Sequence, residues 1–170
     1  MRQGNDPLNT KSEVFDLNVG VGRDTREKLA GQLNECLATS YVLYSKIHQY
    51  HWNVAGPLFY SVHKLTDEHY QNMAEAIDDL AERIRAIGFP VEPGLGNWLK
   101  TSAVADTTSI PSARDMVAEM SQDHQKAAEQ FRKVSEEAHE AGDLYTHDLT
   151  TGRIGFHEEA AWMLNAMLAD

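Results

Sequence analysis

The sequence predicts an all-α protein, a bundle of four long helices with one long connection between the second and the third. Three observations predict it. Apolar residues recur at spacings of three and four over long stretches, the helical period. Glycine and proline interrupt that period at only a few places, at Gly56-Pro57, Gly88 with Pro90, and Gly142. Between the second and third stretches, residues 91–111 hold Pro93, Gly94, Gly96 and Pro111, a connection long enough to run the length of a bundle. An up-and-down bundle needs only short loops there, so the long connection predicts a crossover. No internal repeat and no convincing strand is visible.

The first helix begins near Thr25. Leu29, Leu33, Cys36, Leu37, Tyr41, Leu43, Tyr44 and Ile47 form its apolar stripe. It should end at His51 or Trp52, before a proline that disfavours continuation. A second helix is expected from Leu58 to Ile87. A short helical piece is expected at Asn97–Lys100 inside the connection. Ser112 suits the N-cap of a third helix that runs to Glu140. Asp143 or Thr146 starts a fourth, through Trp162-Met163-Leu164 to Leu168. Residues 1–24, polar and with Gly, Asn and Pro, read as a flexible tail, which leaves 25–170 as the bundle.

A chain of 170 residues is long enough to bury a substantial core in one domain. No run of about 18 apolar residues offers a membrane span, and the N-terminus lacks a signal-peptide apolar stretch. A single cysteine, Cys36, gives no intrachain disulfide framework and fits a reducing cytoplasm, where it is a small buried apolar residue. The net charge of −11 argues against broad electrostatic binding of nucleic acid and is compatible with cations as ligands or cargo.

The chemistry concentrates in the second helix. On a wheel of about 100° per residue with His63 at zero, Asp67 falls near 40°, Asp78 near 60° and Glu82 near 100°. Val62, Met73, Ile77, Leu80 and Ile84 occupy the adjoining arc, so these polar residues border the packed face. Ala74 and Ala81 lie among them, small enough to admit another helix. His63 with Asp67, and Asp78 with Glu82, are i,i+4 pairs that can each share a metal. Asp67 and Asp78 are roughly 16 Å apart along the axis, while metal–ligand bonds are about 2 Å. One chain therefore cannot bring both pairs to one ion. Two copies of the helix crossing antiparallel about a two-fold axis can, and the symmetry then makes two sites. His51, before the Gly-Pro turn, is placed to add an imidazole. Imidazole with carboxylates suits iron, zinc or manganese, and zinc should compete for the same ligands.

Other motifs carry less. Glu136-Glu137-Ala138-His139 matches the Glu-x-x-His pattern of di-iron bundles once, but the second helix has Asp78 where the matching His would stand. His157-Glu158-Glu159 lacks the second His of a zinc-protease helix, because Ala161 stands there. His69 falls on the far side of the wheel, near −120°, away from the ligands. His48, one turn before His51, is placed as a supporting neighbour of the site or as polar surface.

The run His51-Trp52-Asn53-Val54-x-Gly56-Pro57, then His63-x-x-x-Asp67, then Asp78-x-x-x-Glu82-Arg83-Ile84, resembles the Dps family, the miniferritins known as DNA-binding proteins from starved cells. His157-Glu158 followed by Ala161-Trp162-Met163-Leu164 resembles that family's last helix. The likeness spans residues 25–168. It implies a ferritin-like four-helix bundle and a hollow homo-dodecamer built from two-fold dimers. It also implies a ferroxidase that binds ferrous iron at the dimer interface, oxidises it with hydrogen peroxide in preference to dioxygen, and stores a ferric mineral. Such chemistry limits hydroxyl-radical formation and protects DNA. Carried over by residue, His51, His63 and Asp67 would come from one subunit and Asp78 and Glu82 from its mate. Trp52 would donate or trap an electron, or else pack in the core.

The same resemblance suggests acidic residues at the start of the last helix as an iron-entry pore. Asp143 and Asp148 are the matching candidates, with Asp143 equally placed as an N-cap. Family members that bind DNA often use a lysine-rich tail. Residues 1–24 carry Arg2, Lys11 and Arg23 against Asp6, Glu13, Asp16 and Asp24, so direct DNA binding is expected to be weak or absent. The competing expectation is a shell with little turnover, a nucleoid component or a zinc sequesterer. The expected location is the cytoplasm.

Overall fold

The computed structural model describes Leu8, residues 10–15 and residues 17–169. Five helices follow in order: α1 (Arg23–Asn53), α2 (Phe59–Ala86), the short α3 (Leu95–Thr101), α4 (Ala113–Glu140) and α5 (Leu144–Ala166). No strand occurs among the described residues. Each long helix lies within two residues of its predicted bounds. The short connecting helix is longer than the four residues expected of it.

The ends follow local chemistry. Ser112 caps α4 by accepting from the Asp115 N–H. Asp143 caps α5 by accepting from the Thr146 N–H. Gly88 and Gly142 take positive φ, at 101° and 72°, where the chain leaves α2 and α4. α1 pairs with α2 and α4 with α5, and the two hairpins meet chiefly through α1 and α4. α3 lies on α1, so the crossover runs along the bundle.

Two apolar clusters fill the interior. One joins Leu43, Ile47, Tyr50, Val62, Met73 and Leu164; the other joins Leu29, Leu33, Leu37, Leu80, Ile84 and Phe131. Polar ties fix α1 on α4. Lys46 pairs with buried Asp123 at 2.6 Å, and the Tyr50 hydroxyl donates to Glu119. Cys36 is buried, and burial pushes its thiol up, so it is an inert core residue as expected.

Much of the segment expected to be a free tail, residues 1–7 with Asn9 and Asp16, lies outside the described residues. Part of the rest is docked. The Phe15 N–H donates to Gly88 O at 2.8 Å, Arg85 lies over the Phe15 ring at 5.1 Å, and Arg26 donates to Ile87 O at 2.7 Å. These contacts satisfy carbonyls at the C-terminus of α2 that the helix leaves open. α1 also starts at Arg23, inside the expected tail.

Candidate metal centre

The Gly56-Pro57 turn folds α2 back along α1 and brings His51 against His63. The two imidazoles stack at 3.9 Å between centroids, 18° from parallel. Each ring donates from Nδ1 to the other's backbone carbonyl: His51 Nδ1 to His63 O at 2.9 Å, His63 Nδ1 to His51 O at 3.0 Å. A second contact holds His51 Nδ1 near Thr66 Oγ1 at 3.2 Å, while that hydroxyl donates to Val62 O. With Nδ1 protonated in both rings, each Nε2 carries a free lone pair. A carbonyl on the far nitrogen of a histidine is the arrangement that orients an imidazole for a metal.

Asp67 follows one turn after His63 on the same side of α2. Tyr70 donates to Asp67 Oδ1 at 2.7 Å, and this bond holds the carboxyl below the usual carboxylate range. His48 stacks on Tyr70 at 4.3 Å and lies tilted against Trp52 at 4.1 Å. Burial first, then the neighbouring His51, lowers the His48 pKa, which favours a neutral ring beside the centre. Trp52 is 63% exposed, so in the single chain it does not pack in the core, the alternative role expected for it.

Asp78 and Glu82 are exposed farther along α2, apart from the first three. Among the described residues no group of three or more His, Cys, Asp or Glu in one chain is arranged to hold an ion. The five candidates thus form two half-sets. In one, near the α1–α2 turn, the two imidazoles are tied to backbone carbonyls; the other is a carboxylate pair open to solvent.

The pore candidates differ in state. Asp143 is only 4% exposed. It accepts from Thr146 N–H at 3.1 Å and Thr146 Oγ1 at 2.7 Å, and pairs with Arg83 at 2.6 Å. Burial opposes its ionisation, but Thr146 and Arg83 outweigh it and keep the carboxyl low. Of its two expected roles, the structure shows the N-cap. Asp148 is exposed.

Sequence patterns did not point to the support of this site. Tyr70 stands three residues after Asp67, a spacing that permits contact but rarely signals one. Three histidines outside the site form a buried group. His69, His124 and His157 come from α2, α4 and α5, with His124 Nδ1 and His157 Nδ1 at 2.9 Å. His69 packs against His124 and Phe156, away from the candidate ligands, in keeping with its wheel position.

The sequence matches the ferritin-like domain family over residues 30–170. A low temperature-induced protein of Nostoc is 38% identical over 154 residues, 89% of this chain and 86% of its own. The DNA protection during starvation protein of Helicobacter pylori is 33% identical, over 81% of this chain and 96% of its own. Dps from Staphylococcus aureus superposes with a TM-score of 0.81 at 33% identity, covering 85% of this chain and 97% of that one. The Vibrio cholerae Dps protein, described as one of the ferritin-like diiron-carboxylate proteins, gives 0.84 at 30% identity and covers 95% and 99%. Fold, family match and relatives agree: the chain belongs to the ferritin-like family and, within it, to the Dps miniferritins.

Proposed function

We propose that this protein is a ferroxidase and iron store. Ferrous iron is its substrate, taken between two copies of the chain. His51, His63 and Asp67 of one copy face Asp78 and Glu82 of its two-fold mate, and six such dimers close a hollow dodecamer. The observation that carries the reading is the reciprocal bonding of His51 and His63. It spends both Nδ1 hydrogens on backbone carbonyls and leaves both Nε2 lone pairs for a metal. The donor set is nitrogen and carboxylate without thiolate, which suits iron, with zinc as a competitor.

The residues divide the work. Asp67, Asp78 and Glu82 bind the cation and offset its rising charge on oxidation. The imidazoles hold fixed positions because their far nitrogens are tied down. Tyr70 keeps Asp67 ionised and aimed. Hydrogen peroxide is the proposed oxidant. Two ferrous ions supply the two electrons that turn one peroxide into two waters, and the ferric product is stored. Iron and peroxide are consumed together, which removes the pair that yields hydroxyl radical and so protects DNA. Asp148 lines the proposed entry route, and Asp143 supports it through the α5 cap. No helix among the described residues is long and apolar enough to cross a membrane. The proposed site of action is the cytoplasm. The tail gives little electrostatic basis for binding DNA directly.

The test is iron oxidation in solution. Metal-free protein is loaded with ferrous iron without oxygen, peroxide is added, and ferric absorbance is followed. Fast oxidation to a soluble product is expected, and His63→Ala with Asp67→Ala should abolish it. A rate equal to that of the protein-free control would refute the reading.

A further inference from the structure

The one Glu-x-x-His match, Glu136 to His139, has no part in the iron reading. It lies at the end of α4, and the turn through Gly142 brings the first turns of α5 back against it. His147 of α5 meets His139 there, with ring centroids 4.9 Å apart and planes 45° from parallel. His147 Nδ1 lies 3.0 Å from Ser135 O and 2.9 Å from Ser135 Oγ. A carbonyl only accepts, so Nδ1 carries the hydrogen and Nε2 of the neutral ring carries the lone pair. This repeats the arrangement at His51 and His63, two imidazoles in contact with a far nitrogen tied to the backbone. Among the described residues no other histidine pair shares it; the buried pair His124 and His157 bond to each other instead.

The corner is open to solvent on one side. His147 is half-buried, whereas His139 is exposed and its ring is held by no hydrogen bond among the described residues, so it can turn toward His147 Nε2. The chain here also favours a cation. Residues 134–140 and 143–149 hold no lysine or arginine, and the exposed Glu136 and Asp148 flank the two imidazoles in sequence. Glu136 stands one turn before His139 on α4.

We propose that His139 and His147 form a second metal site, separate from the iron centre, which takes one zinc-class divalent cation and pins the end of α4 to the start of α5. Two imidazoles are the protein ligands and water fills the remaining positions, with Glu136 adding negative charge nearby. Imidazole without thiolate suits zinc, nickel and copper(II), and discriminates against calcium and magnesium, which prefer oxygen ligands. The site does not depend on the ferroxidase reading, because none of its residues belongs to that centre.

The test uses the full-length, metal-free protein. Zinc bound per chain is counted by equilibrium dialysis for the wild type, His139→Ala and His147→Ala. Each variant should bind one ion fewer per chain than the wild type. His139 is exposed, so its loss does not threaten the fold. Copper(II) is then added, one ion per chain, to a His51→Ala, His63→Ala protein in which the iron centre is silenced, and nitrogen coupling is read by pulsed electron paramagnetic resonance. Two imidazoles should couple to the ion, and adding His139→Ala should leave at most one. Zinc counts unchanged in both single variants would overturn the site, as would copper that couples to no imidazole or couples identically with and without His139. In an otherwise wild-type chain His139→Ala should leave the iron oxidation rate unchanged; a lost rate would put the pair on the iron path and overturn a separate site.

Discussion

His69 sets up a quantitative prediction about acid stability. The residue is 2% exposed, and neither ring nitrogen has a hydrogen-bond partner. Its ring packs edge-to-face on His124 at 5.1 Å and on Phe156 at 5.8 Å. Burial lowers its pKa to about 4 from an ordinary 6.5. A base depressed in the folded state leaves the unfolded chain binding more protons as pH falls. Stability is therefore whole above pH 6.5 and is lost as pH drops toward the folded pKa. Each pH unit in that window removes about 1.4 kcal/mol per histidine, so His69 alone takes away about 3 kcal/mol by pH 4. His69→Phe keeps the size and the edge-to-face contacts and removes both the titration and the two unbonded nitrogens. The assay is thermal melting of the metal-free protein from pH 7.5 to 4.5 at fixed protomer concentration. The wild type should lose roughly 5–10 °C more than His69→Phe between pH 6.5 and 4.5. His124 and His157 lie well below the ordinary value through burial and mutual repulsion with their charged neighbours, so a residual slope should remain. Identical slopes for wild type and His69→Phe would refute the reasoning.

Three further outcomes are expected. Asp143→Ala strands Arg83 and uncaps α5, so melting should show a loss of about 3–5 kcal/mol, and Asp143→Asn a smaller one because the cap acceptor survives. Gly88→Ala should lower the melting temperature, by an amount equivalent to about 1–3 kcal/mol, because φ is 101° and an added Cβ would stand 2.6 Å from Phe15 O. In a gel mobility shift at low salt, duplex DNA should run free of the protein; tight retardation would contradict the charge reading of an acidic chain with a tail that is not basic.

The helices were legible because each is long, strongly periodic and bounded by Gly, Pro or a capping side chain. The placement of His63, Asp67, Asp78 and Glu82 along α2 was legible for the same reason: wheel geometry depends only on residue spacing. What stayed hidden depends on tertiary approach. The exchange of bonds between His51 and His63 exists only once the Gly-Pro turn has folded α2 onto α1. Docking of Phe15 needs the open carbonyl of Gly88, which no local pattern reports. The histidines at 69, 124 and 157 occupy places where periodicity leads one to expect apolar side chains, and only the packed bundle shows that they meet. Trp52 reads as a core residue by type, but its position at the end of α1 puts it on the surface beside His48.

The central claim is that each site is shared between two chains, and subunit mixing tests it most directly. One variant carries His63→Ala and Asp67→Ala; the other carries Asp78→Ala and Glu82→Ala. Each alone should fail to oxidise iron. In a mixed dimer one site lacks all four residues and its symmetry mate keeps them all. Co-expressed and randomly paired, the two variants should therefore recover about a quarter of the wild-type sites. Mixed shells as inactive as their parents, or full activity in either parent, would contradict a site built across the two-fold axis.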